Sequence, residues 1–280
     1  MQLRKSTFFI RLMHWEYWPM HVVYFLIYPY WIWLCIKAKS FFFFNAANPS
    51  IKNGGFLMES KTEIDVLIPA QYKPIAVSFQ PATDYESIKQ QLVLHQLSFP
   101  LIIKPDIGLQ GKSVMKVNNE QECMQAVASF SVPFIIQEYI AYEKEAGIFY
   151  VRFPDSGKGI ITSIVYKEFV HVIGDGINTV QTLLFSNSRY ILQEKALLQL
   201  VDKSLLNTVP AESEKIIVLP FGNHARGCLF TDVSFLIDDA LINVIDIAAK
   251  QVTGFYYGRL DIKFNCWEDL KAGKNWKIIE

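Results

Sequence analysis

Tyr257-Gly258-Arg259-Leu260-Asp261-Ile262-Lys263-Phe264 alternates in character at each residue from Arg259 onward. Successive side chains of a strand point to opposite faces, so Tyr257, Arg259, Asp261 and Lys263 share one side and Leu260, Ile262 and Phe264 the other. The pattern reads as a half-buried strand with a charged working face, and equally as a plain solvated strand. Context comes from a second short strand, Trp276-Lys277-Ile278-Ile279-Glu280, reached through a polar connection containing Gly273. Antiparallel pairing with Phe264 opposite Lys277 sets Asp261 opposite Glu280. Two carboxylates that close repel unless a cation lies between them, and oxygen-only ligation beside Arg259 and Lys263 suits Mg2+ carrying a polyphosphate.

Upstream, Phe99 to Pro105 reads as an apolar strand that delivers Lys104, and Ser113 to Val117 as a second strand. Between them lies Asp106-Ile107-Gly108-Leu109-Gln110-Gly111-Lys112-Ser113. Its two glycines let the backbone approach an anion, and Lys104 adds a positive charge; a simple hairpin turn has the same composition, and the spacing is not that of a Walker loop. Asn119 with Glu122 signals a helix start into Cys123–Phe130. Strands are predicted over Phe134–Ile140, Ile148–Phe153 and Ile160–Phe169. They are followed by a Gly174-Asp175-Gly176 turn, a short helix capped near Asn178 or Thr179, and a longer charged helix around Arg189 to Lys203.

The chain of 280 residues is 51% apolar, which excludes disorder and supplies a core. Basic and acidic residues balance at 27 each, so no electrostatic footprint for nucleic acid is present. The cysteines at 35, 123, 228 and 266 have neither metal-ligand spacing nor a disulfide framework, and read as reduced thiols of a cytoplasmic protein.

Residues 1–37 form a distinct hydrophobic segment, and 38–98 a region without a repeated strand–helix pattern, ahead of a domain over 99–280. Between Glu16 and Lys37 there are 20 uncharged residues, a helix length of roughly 30 Å, with aromatic clusters at both ends. Residues 15–37 therefore read as a membrane contact: a span, an interfacial segment, or, given Pro19, His21 and Pro29, a segment packed on the following domain. The run is too long and aromatic for a cleavable signal peptide.

In order and spacing, strand-Lys104, glycine loop and strand, then Gln137-Glu138-Tyr139-Ile140 with Glu145, then Gly258-Arg259-Leu260-Asp261-Ile262-Lys263 and Ile278-Ile279-Glu280 resemble the ATP-grasp ligases. The likeness covers 99–280 and is nearest to D-alanine–D-alanine ligase and cyanophycin synthetase types. Val172-Ile173-Gly174-Asp175-Gly176 with Thr179-Val180 is similar to a stretch of the latter. The resemblance implies an α+β fold in which two lobes clasp the nucleotide, here preceded by an aromatic N-terminal helix. It implies ATP and Mg2+ as cofactors and small carboxylate and amine substrates joined through an acylphosphate at the cytoplasmic face.

Carried over by position, Lys104 holds the α and β phosphates and Lys61 resembles the upstream nucleotide lysine. Gly108, Gly111, Lys112 and Ser113 belong to the loop over the γ-phosphate. Gln137, Glu138, Tyr139 and Ile140 form the adenine edge, Glu145 meets the ribose, and Lys263 lies beside the nucleotide. Arg259 stabilises the transferring phosphoryl group, and Asp261 and Glu280 bind the metal. His224 and Arg226, in a glycine-flanked polar cluster, read as acyl-substrate contacts or as a surface turn. The family pattern continues with an Asn two residues past the final Glu, whereas Glu280 is the last residue here, as in a truncated chain. Two other classes share these features: an ATP-grasp phosphotransferase acting on a hydroxyl, and a non-catalytic membrane-bound ATP sensor.

Overall fold

The structure, a computed structural model, describes residues 18–56, 59–108, 114–219 and 227–280. They divide into two compact units. One is built from Phe44–Lys167 with Thr231–Glu280, the other from the described part of Met1–Phe43 with Glu168–Phe230.

The N-terminal aromatic run does not form one long helix. Helix α1 (Met20–Val23) ends in a turn, and α2 restarts at Ile27 and runs to Ala38. Pro29 explains the break: in a continuous helix its ring would collide with the carbonyl of Phe25, whereas within the first turn of α2 its missing N–H needs no partner. Among the described residues no helix is long and apolar enough to cross a membrane; residues 15–17 of the expected membrane contact lie outside the described ones.

The larger unit opens with α3 (Lys61–Leu67), capped by Ser60, whose hydroxyl oxygen accepts from Glu63 N. Strand β1 (Ala76–Phe79) and helix α4 (Tyr85–Leu94) follow, the helix capped by the Asp84 carboxylate. Then come β2 (Leu101–Pro105), β3 (Met115–Val117), α5 (Glu120–Ala128) and β4 (Phe134–Glu138). Asn119 caps α5 by accepting from Glu122 N, and the Glu122 carboxylate accepts in return from Asn118 N. The four strands form an antiparallel sheet in the order β1-β4-β2-β3. Leu101, Ile103, Phe134 and Ile136 on one face pack with Ile88 and Leu92 of α4 and Cys123 of α5. The opposite face carries Lys104 beside Ile135 and Ala76 beside Gln137. Residues 76–94, ahead of the sequence-predicted start at 99, thus supply a strand and a helix of this lobe.

Strands β5 (Lys144–Val151) and β6 (Ile160–Glu168) begin a second sheet. The chain then passes through the smaller unit, where β7 (Val170–Ile173) pairs antiparallel with β8 (Lys215–Leu219). At the intervening turn Asp175 accepts from Ile177 N and Asn178 N, and Gly176 adopts φ +72. Thr179 caps α6 (Val180–Ser186). In place of one charged helix over 189–203 there are three short ones, α7 (Ser188–Ile191), α8 (Glu194–Leu200) and α9 (Lys203–Leu206). Val201 is extended, and the Asp202 carboxylate accepts from Ser204 N, starting a new helix where a continuous one would have to run.

The chain re-enters the larger unit within β9 (Leu229–Asp232), an edge strand, and Asp238 caps α10 (Asp239–Gln251). Strand β10 (Tyr257–Phe264), helix α11 (Trp267–Lys271) and β11 (Trp276–Ile278) complete the order β11-β10-β5-β6-β9. Ile148, Tyr150, Leu260, Ile262 and Phe264 form the core face against Leu241, Ile245 and Ala248 of α10. The side chain of Asn48, 3% exposed, donates to Gly54 O and Tyr257 O and accepts from Tyr256 N and Tyr257 N, fixing the start of β10.

The register of β10 with β11 is one residue away from the sequence expectation. Phe264 pairs with Trp276, and Ile262 with Ile278. A one-residue slip exchanges the faces of a strand, and the expected pairing would have put Lys277 beside Phe264 in the core. Trp276 and Ile278 are instead buried there.

Candidate active site

The charged face of β10 is buried at its second half, whereas Tyr257 and Arg259 are exposed. Asp261 and Lys263 are 5% and 8% exposed. Lys263 pairs with Glu145 across β5, and the Ala146–Tyr166 pair puts Lys167 beside Glu145 on β6. Three strands thus set Lys263, Glu145 and Lys167 in one row. In the next row Asp261 stands opposite Gly147. A side chain at 147 would bring a Cβ to 2.8 Å from Arg259 Cδ and 3.1 Å from Asp261 Oδ1, so the glycine is what lets Asp261 lean across the strand.

There Lys167 Nζ lies 2.7 Å from Asp261 Oδ2 and 2.6 Å from Glu145 Oε1. Arg259 Nε approaches Asp261 Oδ1 at 2.7 Å. Burial works to lower the Lys167 pKa, but the Asp261 and Glu145 carboxylates outweigh it and hold the ammonium above its ordinary value. Lys263 is shifted the other way by burial, against Glu145 and with the repulsion of Lys116. Its ammonium donates to Ile140 O at 3.1 Å and Tyr142 O at 3.4 Å and lies 5.3 Å from the Tyr139 ring centroid.

A cleft beside this cluster is lined by Lys61, Asp65, Lys104, Gln137 and Glu280. Lys104 Nζ donates to Ile279 O at 3.2 Å, and Lys61 Nζ donates to Gly108 O at 3.1 Å and stands 3.5 Å from Glu280 Oε1. The Asp106 carboxylate organises the Lys61 helix by accepting from Ser60, Thr62 N and the Thr62 hydroxyl. Burial pushes the Lys104 pKa down to about 8, with Glu280 resisting and Lys61 adding to the fall.

The two groups are joined by backbone: Asp261 N donates to Glu280 O at 2.9 Å and Ile279 N to Asp261 O at 2.8 Å. The expected side-by-side carboxylates are not formed in this arrangement. The Asp261 side chain faces Arg259 and Lys167, while the exposed Glu280 carboxylate faces Lys61. The slipped register is the reason.

Gly108, Gln137, Lys61, Lys104 and Glu280 therefore gather at the cleft, and Tyr139, Ile140, Glu145, Arg259, Asp261 and Lys263 on the β5–β10 face. Glu138 N already donates to Ile75 O, and its carboxylate accepts from Ile75 N. Gly111, Lys112, Ser113, His224 and Arg226 lie outside the described residues. Sequence reasoning missed Lys167; the signal is the hairpin β5–β6, whose pairing sets 167 beside 145.

Asp261 and Glu280 are oxygen donors of the kind Mg2+ takes, though their carboxylates are turned to different cations. Asp261 Oδ1 is a buried carboxylate oxygen without a well-directed hydrogen-bond donor, and the Glu280 carboxylate is exposed at the adjoining strand end. Among the described residues no group of three or more His, Cys, Asp or Glu side chains could hold a metal. Mg2+ typically takes one or two carboxylates and completes its shell with phosphate and water.

Two sheets with their helices, the second returning to the first through Ile279 and Glu280, make an α+β fold. Residues 60–153 match the family model of the RimK-like ATP-grasp domain. The bifunctional glutathione synthetase from Pasteurella multocida is similar at 15% identity over 75% of this chain and 30% of that one, with TM-score 0.38. The VanG D-Ala:D-Ser ligase from Enterococcus faecalis is similar at 14% identity over 79% and 52%, with TM-score 0.44. The D-alanine–D-alanine ligase from Bacillus anthracis is similar at 14% identity over 79% and 54%, with TM-score 0.43. The chain thus spans between 30% and 54% of these proteins' lengths. No curated protein matches the chain.

Proposed function

We propose that the protein is an ATP-dependent carboxylate–amine ligase. What supports this reading is Lys104 and Lys61 at the cleft against Ile279 and Glu280, with Asp261 and its Arg259 partner joined to Glu280 through the β10–β11 backbone, a set of cations and carboxylates suited to a metal-bound polyphosphate. Lys61 and Lys104 neutralise the phosphates from the cleft side. Arg259, with its side chain half-exposed, stabilises the phosphoryl group as its charge redistributes. Asp261 and Glu280 would hold Mg2+, which supplies neutralisation of developing phosphate charge. Glu145 accepts from ribose hydroxyls, and the backbone around Tyr139 and Ile140 meets the adenine. A substrate carboxylate attacks the γ-phosphate and releases ADP. The resulting acylphosphate is opened by an amine, forming the amide and expelling phosphate, so no protein nucleophile is required.

ADP release screened against pools of carboxylates and amines tests the reading. Release that requires both partners is expected; release driven by a hydroxyl acceptor alone, or ATP binding without turnover under every pairing, overturns it.

The buried state of Lys104 also gives a pH dependence. A polyanion binds the protonated ammonium, which persists only below about 8 in the free protein. ATP affinity measured by calorimetry should fall as pH rises through that value, and Lys104→Met should flatten the profile. An unchanged profile in the variant would remove Lys104 from the phosphate site.

A further inference from the structure

One cation on the β5–β10 face is not used by the chemistry above. Lys167 comes from β6, and its ammonium touches both Glu145, at 2.6 Å, and Asp261, at 2.7 Å. The three side chains are each 6% exposed. With Arg259 on Asp261 and Lys263 beside Glu145 in the same row, the two carboxylates face three cations and have no charge left uncompensated.

That balance decides what can enter. Bringing an ion out of water costs several kcal/mol, and only an uncompensated opposite charge offsets that cost. A bare dication meets no such charge here, and it must also displace an ammonium already in contact with its ligand. A dication arriving with a polyphosphate brings its own anions, to which Lys167 and Arg259 can transfer their contacts.

We propose that Lys167 is a built-in cation that holds the Asp261 carboxylate until nucleotide arrives, so that a divalent metal is admitted only together with the polyphosphate it accompanies. Lys167 is then a positioning residue for the metal ligand, and it orders the binding events. The inference rests on the nucleotide reading of the same site.

The test is Mn2+ binding without nucleotide, followed by electron paramagnetic resonance of the free ion and by calorimetry on the full chain. Lys167→Gln keeps a polar side chain and removes the charge. It should bind Mn2+ at least roughly tenfold more tightly than the unmodified protein. Adding Asp261→Asn to Lys167→Gln should abolish the gain, and Lys167→Arg should show none.

A Lys167→Gln affinity within about twofold of the unmodified protein, or weaker, overturns the proposal, since a purely structural lysine has no competing charge to remove. Should that variant fail to fold, the unmodified protein decides. Its Mn2+ affinity must rise at least roughly tenfold when a non-hydrolysable ATP analogue is present, and a smaller rise overturns the proposal. Binding of the analogue alone is measured in parallel. Its absence condemns the nucleotide reading, whereas binding of the analogue with no Lys167 effect condemns only the inference.

Discussion

Lys104→Met is expected to lower ATP turnover by roughly 10²- to 10³-fold while leaving the melting temperature unchanged or slightly raised. Methionine preserves the stem of the side chain in β2 and deletes only the charge. The direction of the stability effect follows from the same burial that lowers the Lys104 pKa: an ammonium held where water is scarce is costly to the fold, so its neutral replacement relieves strain. Among the contacts of its ammonium, the bond to Ile279 O is the one lost, and that carbonyl lies at the cleft rim. Activity and stability therefore move in different directions, as they do where a residue serves function at the expense of the fold. Steady-state ADP release and a thermal melt on the same preparations check this. Turnover within about threefold of the unmodified protein would remove Lys104 from the machinery, and a parallel fall in both quantities would make it a structural residue.

The largest stability effect is expected at Asp246. This aspartate sits on the buried stripe of α10 at 4% exposure. Its Oδ1 accepts from the Tyr150 hydroxyl at 2.7 Å and from Gly159 N at 2.8 Å, and its Oδ2 lies 2.7 Å from Lys250 Nζ. Burial works to raise its pKa, but Lys250, Tyr150 and Gly159 together hold the carboxyl below its usual range. Asp246→Ala strands a buried hydroxyl and a buried amide at once, for a loss of about 3 kcal/mol. In a unit of this size that corresponds to a fall in melting temperature of roughly 6–12 °C. Asp246→Asn retains an acceptor and should lose about half as much. Lys250→Ala should cost little, because its ammonium is partly solvated. Chemical denaturation of the three variants checks the ranking, and an Asp246→Ala loss below about 1 kcal/mol would show that water replaces the carboxylate.

The sequence readings that held were those resting on local chemistry. Asn119 and Thr179 have the side chains that cap helices, and both do so. The alternation of 259–264 identified β10 and its core face correctly. The β10–β11 pairing failed by one residue because it was set by bringing two acids together; the alternation of Trp276 and Ile278 with Lys277 already demanded the other register. Lys167 was legible only through the pairing of β5 with β6, since nothing in its own neighbourhood marks it. Asp246 left a visible trace, an acid on the same helix stripe as Leu241 and Ile245, but its partner Tyr150 lies 96 residues away. The break in the aromatic run is legible at Pro29, which forbids one continuous helix through Phe25.

The larger unit is assembled from two stretches of chain that flank residues 168–230. During synthesis β5 and β6 leave the ribosome long before β10 exists, so the hydrogen-bonding edge of β5 that β10 will occupy stays unsatisfied while some ninety residues are added, an interval in which a nascent chain is open to mispairing with its neighbours. Asp261, the last-made partner of Lys167, closes that edge. Translation order therefore keeps the newborn protein without the Asp261–Lys167–Glu145 cluster until the β10 segment has emerged.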